Sequence, residues 1–436
     1  MSNLNSFIGC VRIPSLPLQK IPAELQIEKL PAPARVEIAL SKASTLAVSE
    51  GDDVFVGQLL CSEEDKNPVH ASVSGKVSLI KRDDDGNALS IVIENDKKDT
   101  LDPSIIPFTK KLTETSPDEI LDIIKRSGIC ESGDGYSVAR RLECALGGAR
   151  RLIVNCTECE PILCARHKLA LEYTTDIING AKILLRALEV RFVDIAVDNK
   201  DMSVIRRLEA VIGDNPLLRL RVTDYKYPQE DKRLIVNAVT GKEPPVRETT
   251  SQLGYVVFTA ETCAAIFRAF SQGMPQITKT VTVGGDCIKT PKVLEVPIGT
   301  PLSDIIDCCG GIVGEEKRIV CGSLMKGKAL PNRDYCVAKR DTAFLFLSED
   351  YIKPGKDSEC IRCGICVANC PMHLMPLYLA KQSKKGNVKK ALAMGLKSCI
   401  ECGTCTYNCP SGVEHVYHIR KTKAAYNEEK TQEEKI

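Results

Sequence analysis

The sequence predicts a multidomain chain of mixed α/β and α+β class, and three observations carry that prediction. A length of 436 residues exceeds one domain at roughly 100–200 residues each. The hydrophobic pattern also changes period along the chain. Two-residue alternation punctuated by glycine gives way to strand–helix alternation over 115–275, and β-type alternation returns over 276–348. Finally, eight of the 21 cysteines crowd between Cys360 and Cys409, marking a separate small domain.

Composition narrows the function classes. A net charge of +2 with 43% hydrophobic residues gives no drive toward nucleic acid or a membrane surface. No apolar run reaches the roughly 18–20 residues of a membrane span. The opening MSNLNSFIGCVRIPSL lacks the basic-then-apolar layout of a secretory signal, so the expected location is cytoplasmic. In a long chain without an export signal, clustered cysteines point to metal or thiol chemistry rather than disulfides.

Residues 20–98 read as short strands. LAVSEGDDVFVGQLL turns at Gly51-Asp52 and Gly57, and NPVHASVSGKVSLI repeats the habit at Gly75, which fits a small sandwich or barrel. The phrases are similar to those of biotinyl and lipoyl barrel-sandwich domains. No lysine occupies a carrier tip, so a scaffold is expected.

Residues 115–275 form the α/β unit. Ser116 caps an amphipathic run, RLIVN is a strand, HKLALEYTTDIINGAKILLRALEV is helical, and RFVDIAVDNKD is a second buried strand. Gly147-Gly148 reads as a helix-ending turn. Ligands gather at the carboxyl ends of parallel strands, which selects Asn155, Cys156, Glu158, Cys159 and Glu160. Cys156-x-x-Cys159 is a candidate redox dithiol, because a strand-end turn lowers the first thiol's pKa; small buried residues behind the strand are the blander reading. Residues 276–348 suggest a β-grasp unit turning at Gly284-Gly285-Asp286, with a helix capped at Ser303-Asp304. Residues 349–422 hold the cysteine motifs, and 423–436 read as a charged, disordered tail.

The motifs are Cys360-x2-Cys363-x2-Cys366-x3-Cys370-Pro and Cys399-x2-Cys402-x2-Cys405-x3-Cys409-Pro. Both match the run of bacterial ferredoxins that carry two [4Fe–4S] clusters, in which the fourth cysteine ligates the other cluster. Cys360, Cys363, Cys366 and Cys409 are therefore assigned to one cluster, and Cys399, Cys402, Cys405 and Cys370 to its partner. Paired zinc sites would not need two complete four-cysteine runs, each closed by proline. Residues 353–436 hold 14 Lys/Arg against 8 Asp/Glu, a local +6 that favours reduced clusters. The lysine-rich KQSKKGNVKK either docks an acidic redox partner or is a solvated face. His373 either tunes a cluster or has an ordinary surface role.

In this order the parts resemble the RnfC family, the peripheral subunit of ion-translocating ferredoxin:NAD oxidoreductases, whose soluble relatives include cobalamin reductase and a proline-reductase-associated electron carrier. The resemblance runs from about residue 20 to residue 420, on NCTECEP (155–161), YPQEDKRLI (227–235), VPIGTPLSDII (296–306) and the cysteine motifs. It implies an RnfC N-terminal-like barrel-sandwich hybrid, an α/β domain like the flavin- and NADH-binding subunit of complex I, an SLBB-like β-grasp and a ferredoxin-type domain. It also implies a flavin near Glu158 and Glu160. The family's glycine-rich loop is replaced here by SGICESGDGYSVARRLECA, and Glu131 and Asp134 put negative charge where a flavin phosphate needs positive potential. FMN is therefore doubtful, and eight irons without flavin are expected. The leading expectation is a carrier passing single electrons to or from a partner reductase. The alternatives are an FMN-containing NADH-dependent oxidoreductase and a docking adaptor of a membrane-associated electron transport complex, peripheral to the cytoplasmic membrane face.

Overall fold

The computed structural model describes residues 9–14, 18, 21–22, 25–41, 45–62, 67–160, 162–245, 248–352 and 358–433. Pro161, residues 353–357 and the last three of the charged tail lie outside these.

The N-terminal unit begins with a departure from the sequence reading. Strand β1 (Glu28–Lys29) pairs in parallel with β14 of the third unit, Glu28 opposite Leu294. Two residues of β-structure carry no periodicity, so nothing local signals this pairing. The sandwich itself follows as β2 (Arg35–Ala39), β3 (Thr45–Leu46), β4 (Asp53–Val54), β5 (Leu59–Ser62), β6 (Val69–His70), β7 (Gly75–Arg82) and β8 (Ala88–Asn95). One sheet runs β2-β8-β7-β4 and the other β3-β5-β6. Val36, Ile38, Leu60, Val77, Ile91 and Ile93 fill the space between them. Gly75 has φ +148°, and a Cβ there would lie 1.9 Å from the Glu94 carbonyl oxygen; only glycine fits at this crossing.

The α/β unit opens with α1 (Pro117–Arg126), where Ser116 and Glu119 form a reciprocal capping box. Then come α2 (Val138–Glu143), β9 (Arg151–Asn155), α3 (Ala165–Glu172), α4 (Thr174–Leu188), β10 (Val193–Asp198), α5 (Met202–Ile212), β11 (Leu218–Thr223), α6 (Lys232–Thr240), β12 (Tyr255–Thr259) and α7 (Ala260–Gln272). The parallel sheet has order β11-β10-β9-β12. β9 is first in sequence yet internal, with β10 on one side and β12 on the other. Asn155 is paired with Ala196 and with Thr259, so the carboxyl ends of β9 and β12 meet at the sheet's topological switch point, where open α/β sheets bind ligands.

The third unit contains β13 (Thr278–Gly284), β14 (Lys292–Pro297), α8 (Leu302–Cys308), β15 (Arg318–Cys321), β16 (Lys328–Leu330) and β17 (Ala343–Leu347), in a sheet β1-β14-β13-β17-β15-β16. Helix α8 begins at Leu302 with Pro301 as its N-cap, and Ser303 bonds to Asp304 rather than to the helix backbone. This corrects the expected Ser303-Asp304 cap.

The last unit comprises α9 (Ile365–Ala368), α10 (Pro376–Lys384), α11 (Val388–Ala393), α12 (Thr404–Tyr407) and α13 (His415–Glu433). The expected disordered tail is helical as far as Glu433. Its first turns are docked: Ile419 is buried with Leu379, Ala391 and Leu396, and Lys423 donates to the Cys399 carbonyl. No helix among the described residues is long and apolar enough to cross a membrane.

Candidate functional site

The two cysteine motifs have the same backbone. Arg362 and Glu401 take φ values of +59° and +54°, and Gly364 and Gly403 follow at +79° and +82°. The N–H two residues after the first cysteine points at its sulfur in each motif, Arg362 to Cys360 Sγ and Glu401 to Cys399 Sγ, both at 3.4 Å. The N–H four residues after the last cysteine does likewise, Leu374 to Cys370 Sγ at 3.4 Å and Val413 to Cys409 Sγ at 3.3 Å. Such N–H···S contacts offset negative charge on ligand sulfur.

Cys360, Cys363, Cys366 and Cys409 line one cavity of about 310 Å³, walled also by Leu377, Pro410 and His415. This crosswise set comes from both motifs. Burial, with Cys360, Cys363 and Cys409 nearby, pushes the Cys366 thiol up. The other set gathers similarly, since burial and then Cys402, Cys399 and Cys370 push the Cys405 thiol up. Among the described residues, no set of His, Cys, Asp and Glu is drawn together tightly enough to clasp a single metal ion. The sulfurs surround a space, as a multi-iron cluster requires. His373 (φ +52°) occupies the turn position that Gly412 (φ +66°) holds in the second motif, and its ring meets Glu243 at 3.7 Å. It has a surface contact rather than a sulfur to tune.

The two sites differ in exposure. Cys360 and Cys363 are exposed, whereas Cys370, Cys402 and Cys405 are buried. The buried site abuts the α/β unit, where Tyr227 donates from its hydroxyl to the Cys402 carbonyl at 2.6 Å. Tyr227 is 1% exposed and packs with Ile13, Cys159 and Cys402.

A large cleft, about 2310 Å³, opens at the switch point and extends to the third unit, and Ile400 of the cluster domain lines it. Asn155, Glu158 and Arg166 come from the β9 side, Glu261 from the start of α7, Ser132–Asp134 from the α1–α2 loop, and Ser323 and Lys326 from the β15–β16 turn. Burial pushes Glu158 up, although Arg166 opposes it, and the Glu158 carboxylate accepts from the Arg166 and His167 N–H groups. Glu160 is pushed up to about 7 by burial and then by Glu230. Its Oε2 accepts from Met325 N–H at 3.4 Å, while its buried Oε1 has no partner.

The dithiol reading fails on geometry and on charge. Cys156 packs with Leu152, Val154 and Cys263 behind the sheet, and Cys159 packs on the other side with Tyr227. Burial pushes Cys156 up to about 12 and Cys159 well above the usual thiol range. Neither is a ready thiolate.

The α1–α2 loop also differs from its reading in detail. Glu131 is not a loose negative charge. Arg141 donates to it at 2.9 Å, and Thr259 N–H, Thr259 Oγ1 and Thr262 Oγ1 bind its other oxygen at 3.1, 2.6 and 2.8 Å. A carboxylate of the chain itself thus sits at the N-terminus of α7, the place where the fold attracts an anion. Asp134 is held below the usual range, against burial, chiefly by Lys232 at 2.5 Å. The N–H groups of Glu131, Gly133 and Gly135 bond to the carbonyls of Tyr136, Arg340 and Glu131, and Tyr136 N–H bonds to Asp134. The loop closes on itself and does not fit a flavin phosphate. Arg141, Arg166, Lys326 and Glu230 were not legible as site residues, because no local pattern marks a cation or acid whose partner is distant in sequence.

Family models match the chain in order. They are an RnfC barrel sandwich hybrid domain over 6–98, a Nuo51 FMN-binding domain over 124–268, an SLBB domain over 280–326 and a 4Fe-4S dicluster domain over 359–413. The RnfC-type component of the Na(+)-translocating ferredoxin:NAD(+) oxidoreductase complex of Acetobacterium woodii is 33% identical over 349 residues, 78% of each chain. The chain belongs to the RnfC family. The matching component of the proton-translocating complex of Clostridium ljungdahlii is also 33% identical, over 86% of this chain and 84% of the relative. Among solved structures, NAD+-reducing [NiFe]-hydrogenase in its H2-reduced state matches with a TM-score of 0.52 at 16% identity. The match covers 72% of this RnfC chain and 62% of that one, a likeness of fold. With its dicluster domain, this RnfC chain is an iron–sulfur electron-transfer protein.

Proposed function

We propose that this RnfC chain relays single electrons through two [4Fe–4S] clusters between a donor at or near the cleft and a partner redox protein, as a peripheral subunit on the cytoplasmic face of a membrane-bound oxidoreductase. The crosswise cavity formed by Cys360, Cys363, Cys366 and Cys409 carries this reading. Cys370, Cys399, Cys402 and Cys405 hold the second cluster. Each cluster supplies one-electron chemistry, and the chain's part is to insulate, space and tune it through N–H···S contacts and burial.

Anaerobic purification with iron, sulfide and flavin analysis is the test. Wild-type protein is expected to hold about eight irons, following from two four-iron clusters, and no stoichiometric flavin. Cys409→Ser should remove the cluster of the first motif, although Cys409 lies in the second. Loss confined to the second motif's cluster would overturn the crosswise assignment. The Nuo51 match and the size of the cleft favour a second reading, an NADH-dependent flavoenzyme. Bound FMN together with bleaching of the clusters by NADH would establish it.

A further inference from the structure

The electron-transfer reading, on which this inference rests, gives the protein a buried and an exposed cluster site. We propose that the exposed edge of the first site, with the outer stripe of α10, is the docking surface for an acidic one-electron redox protein.

Electron tunnelling between proteins needs a cluster edge that a partner can approach, and Cys360 and Cys363 offer one. The residues around them are unusually apolar for a surface. Ile361 is 67% exposed, Ile365 39% and Tyr378 44%. An apolar centre within a charged rim is the ordinary build of a transient interface.

The charge of the rim selects the partner. Helix α10 starts beside the cavity, with Leu377 in its wall. Tyr378, Lys381 and Lys385 recur at i, i+3 and i+7, so they share one face, and all three are exposed. The stripe extends about 10 Å along the helix. Basic side chains at a helix C-terminus also suit its dipole. However, exposed Lys389, Lys390 and Lys397 continue the positive charge beyond α10. The acidic groups nearby are few. Glu359 is exposed next to Cys360, Glu414 is half-buried, and Glu401 is neutralised by Arg420 at 3.1 Å and Lys423 at 2.9 Å. A positive rim around an apolar cluster edge steers an acidic partner and repels a basic one.

Full-length protein with both clusters assembled, reduced by dithionite, is mixed by stopped flow with flavodoxin as the acidic acceptor or cytochrome c as the basic one. The rate with flavodoxin should fall as ionic strength rises, and the rate with cytochrome c should rise. Lys381→Glu with Lys385→Glu should slow flavodoxin at least tenfold at low salt and speed cytochrome c, with iron content and midpoint potentials unchanged. Should this variant lose its clusters, the opposite salt slopes of the wild type still decide the matter. Salt-independent flavodoxin rates, or equal rates in variant and wild type, would overturn the docking surface alone. Wild-type protein that assembles no clusters would overturn the electron-transfer reading beneath it.

Discussion

Glu160 is where one side chain most clearly sets a measurable property. Burial and the neighbouring Glu230 push it up to about 7, so the folded state prefers the protonated acid. Below the unfolded carboxyl value of about 4.5 both states hold the proton and no penalty exists. As pH rises through 7 the folded protein loses stability, by as much as about 3 kcal/mol from this group. Glu160→Gln keeps the shape without the charge. It should raise Tm at pH 8 and leave it nearly unchanged at pH 5; an equal shift at both pH values would mean that packing, not charge, governs the site. Asp198, also pushed up to about 7 mainly by burial, leaves some slope of the same sign in the variant. None of this was legible in the sequence. The E-C-E-P turn pointed to a ligand site, but burial of its second glutamate depends on Tyr227, Ser323 and Lys326, which arrive from far along the chain. The cluster cysteines were legible because their chemistry is written in local spacing, and Cys156-Cys159 misled because the same spacing says nothing about which way each thiol faces.

Packing of α4 against α7 decides a second case, at the scale of elements. A Cβ on Gly180 would lie 1.9 Å from the Cys263 carbonyl oxygen. In an open helix, glycine to alanine gains roughly 1 kcal/mol from helix propensity. Here overpacking costs about 1–3 kcal/mol, and the backbone of α7 cannot swing aside as a flexible side chain can. Gly180→Ala should therefore lower Tm by several degrees, and thermal unfolding followed by circular dichroism checks the sign. Helix α4 itself was readable from its apolar period, as were the capping box of α1 and the strands β9 and β10. Strand β1 and the tail helix α13 were not. One is held by a pairing with Leu294 and Glu295, and the other by Lys423 and Ile419 docking on the cluster domain. Both are tertiary effects that overrule a local pattern.

For the molecule as a whole, the units place the two clusters in unlike surroundings. The N-terminal strap is part of this. Cys10 N–H bonds to the Asn369 carbonyl at 3.1 Å, and Val11 exchanges both backbone bonds with Tyr227 at 3.0 and 2.8 Å. Strap, α/β unit and β15–β16 turn together cover the site of Cys370, Cys399, Cys402 and Cys405, with Met325 closing over Gly403. The other site has Cys360 and Cys363 open to solvent. Oxidants and chelators reach a cluster through its exposed sulfurs and irons, so damage should be ordered. On controlled exposure to ferricyanide and a chelator, the first-motif cluster should be lost early, leaving about four irons in a protein that still gives the spectrum of one [4Fe–4S] cluster. Iron release and electron paramagnetic resonance along one time course measure this. A single phase releasing all the iron would mean that the two sites are equally shielded, which the burial of Cys402 and Cys405 does not allow. In Tyr227→Phe the hydroxyl that holds the Cys402 carbonyl is gone. The slow phase should then quicken while the fast phase stays as it was, because only the covered site leans on the α/β unit.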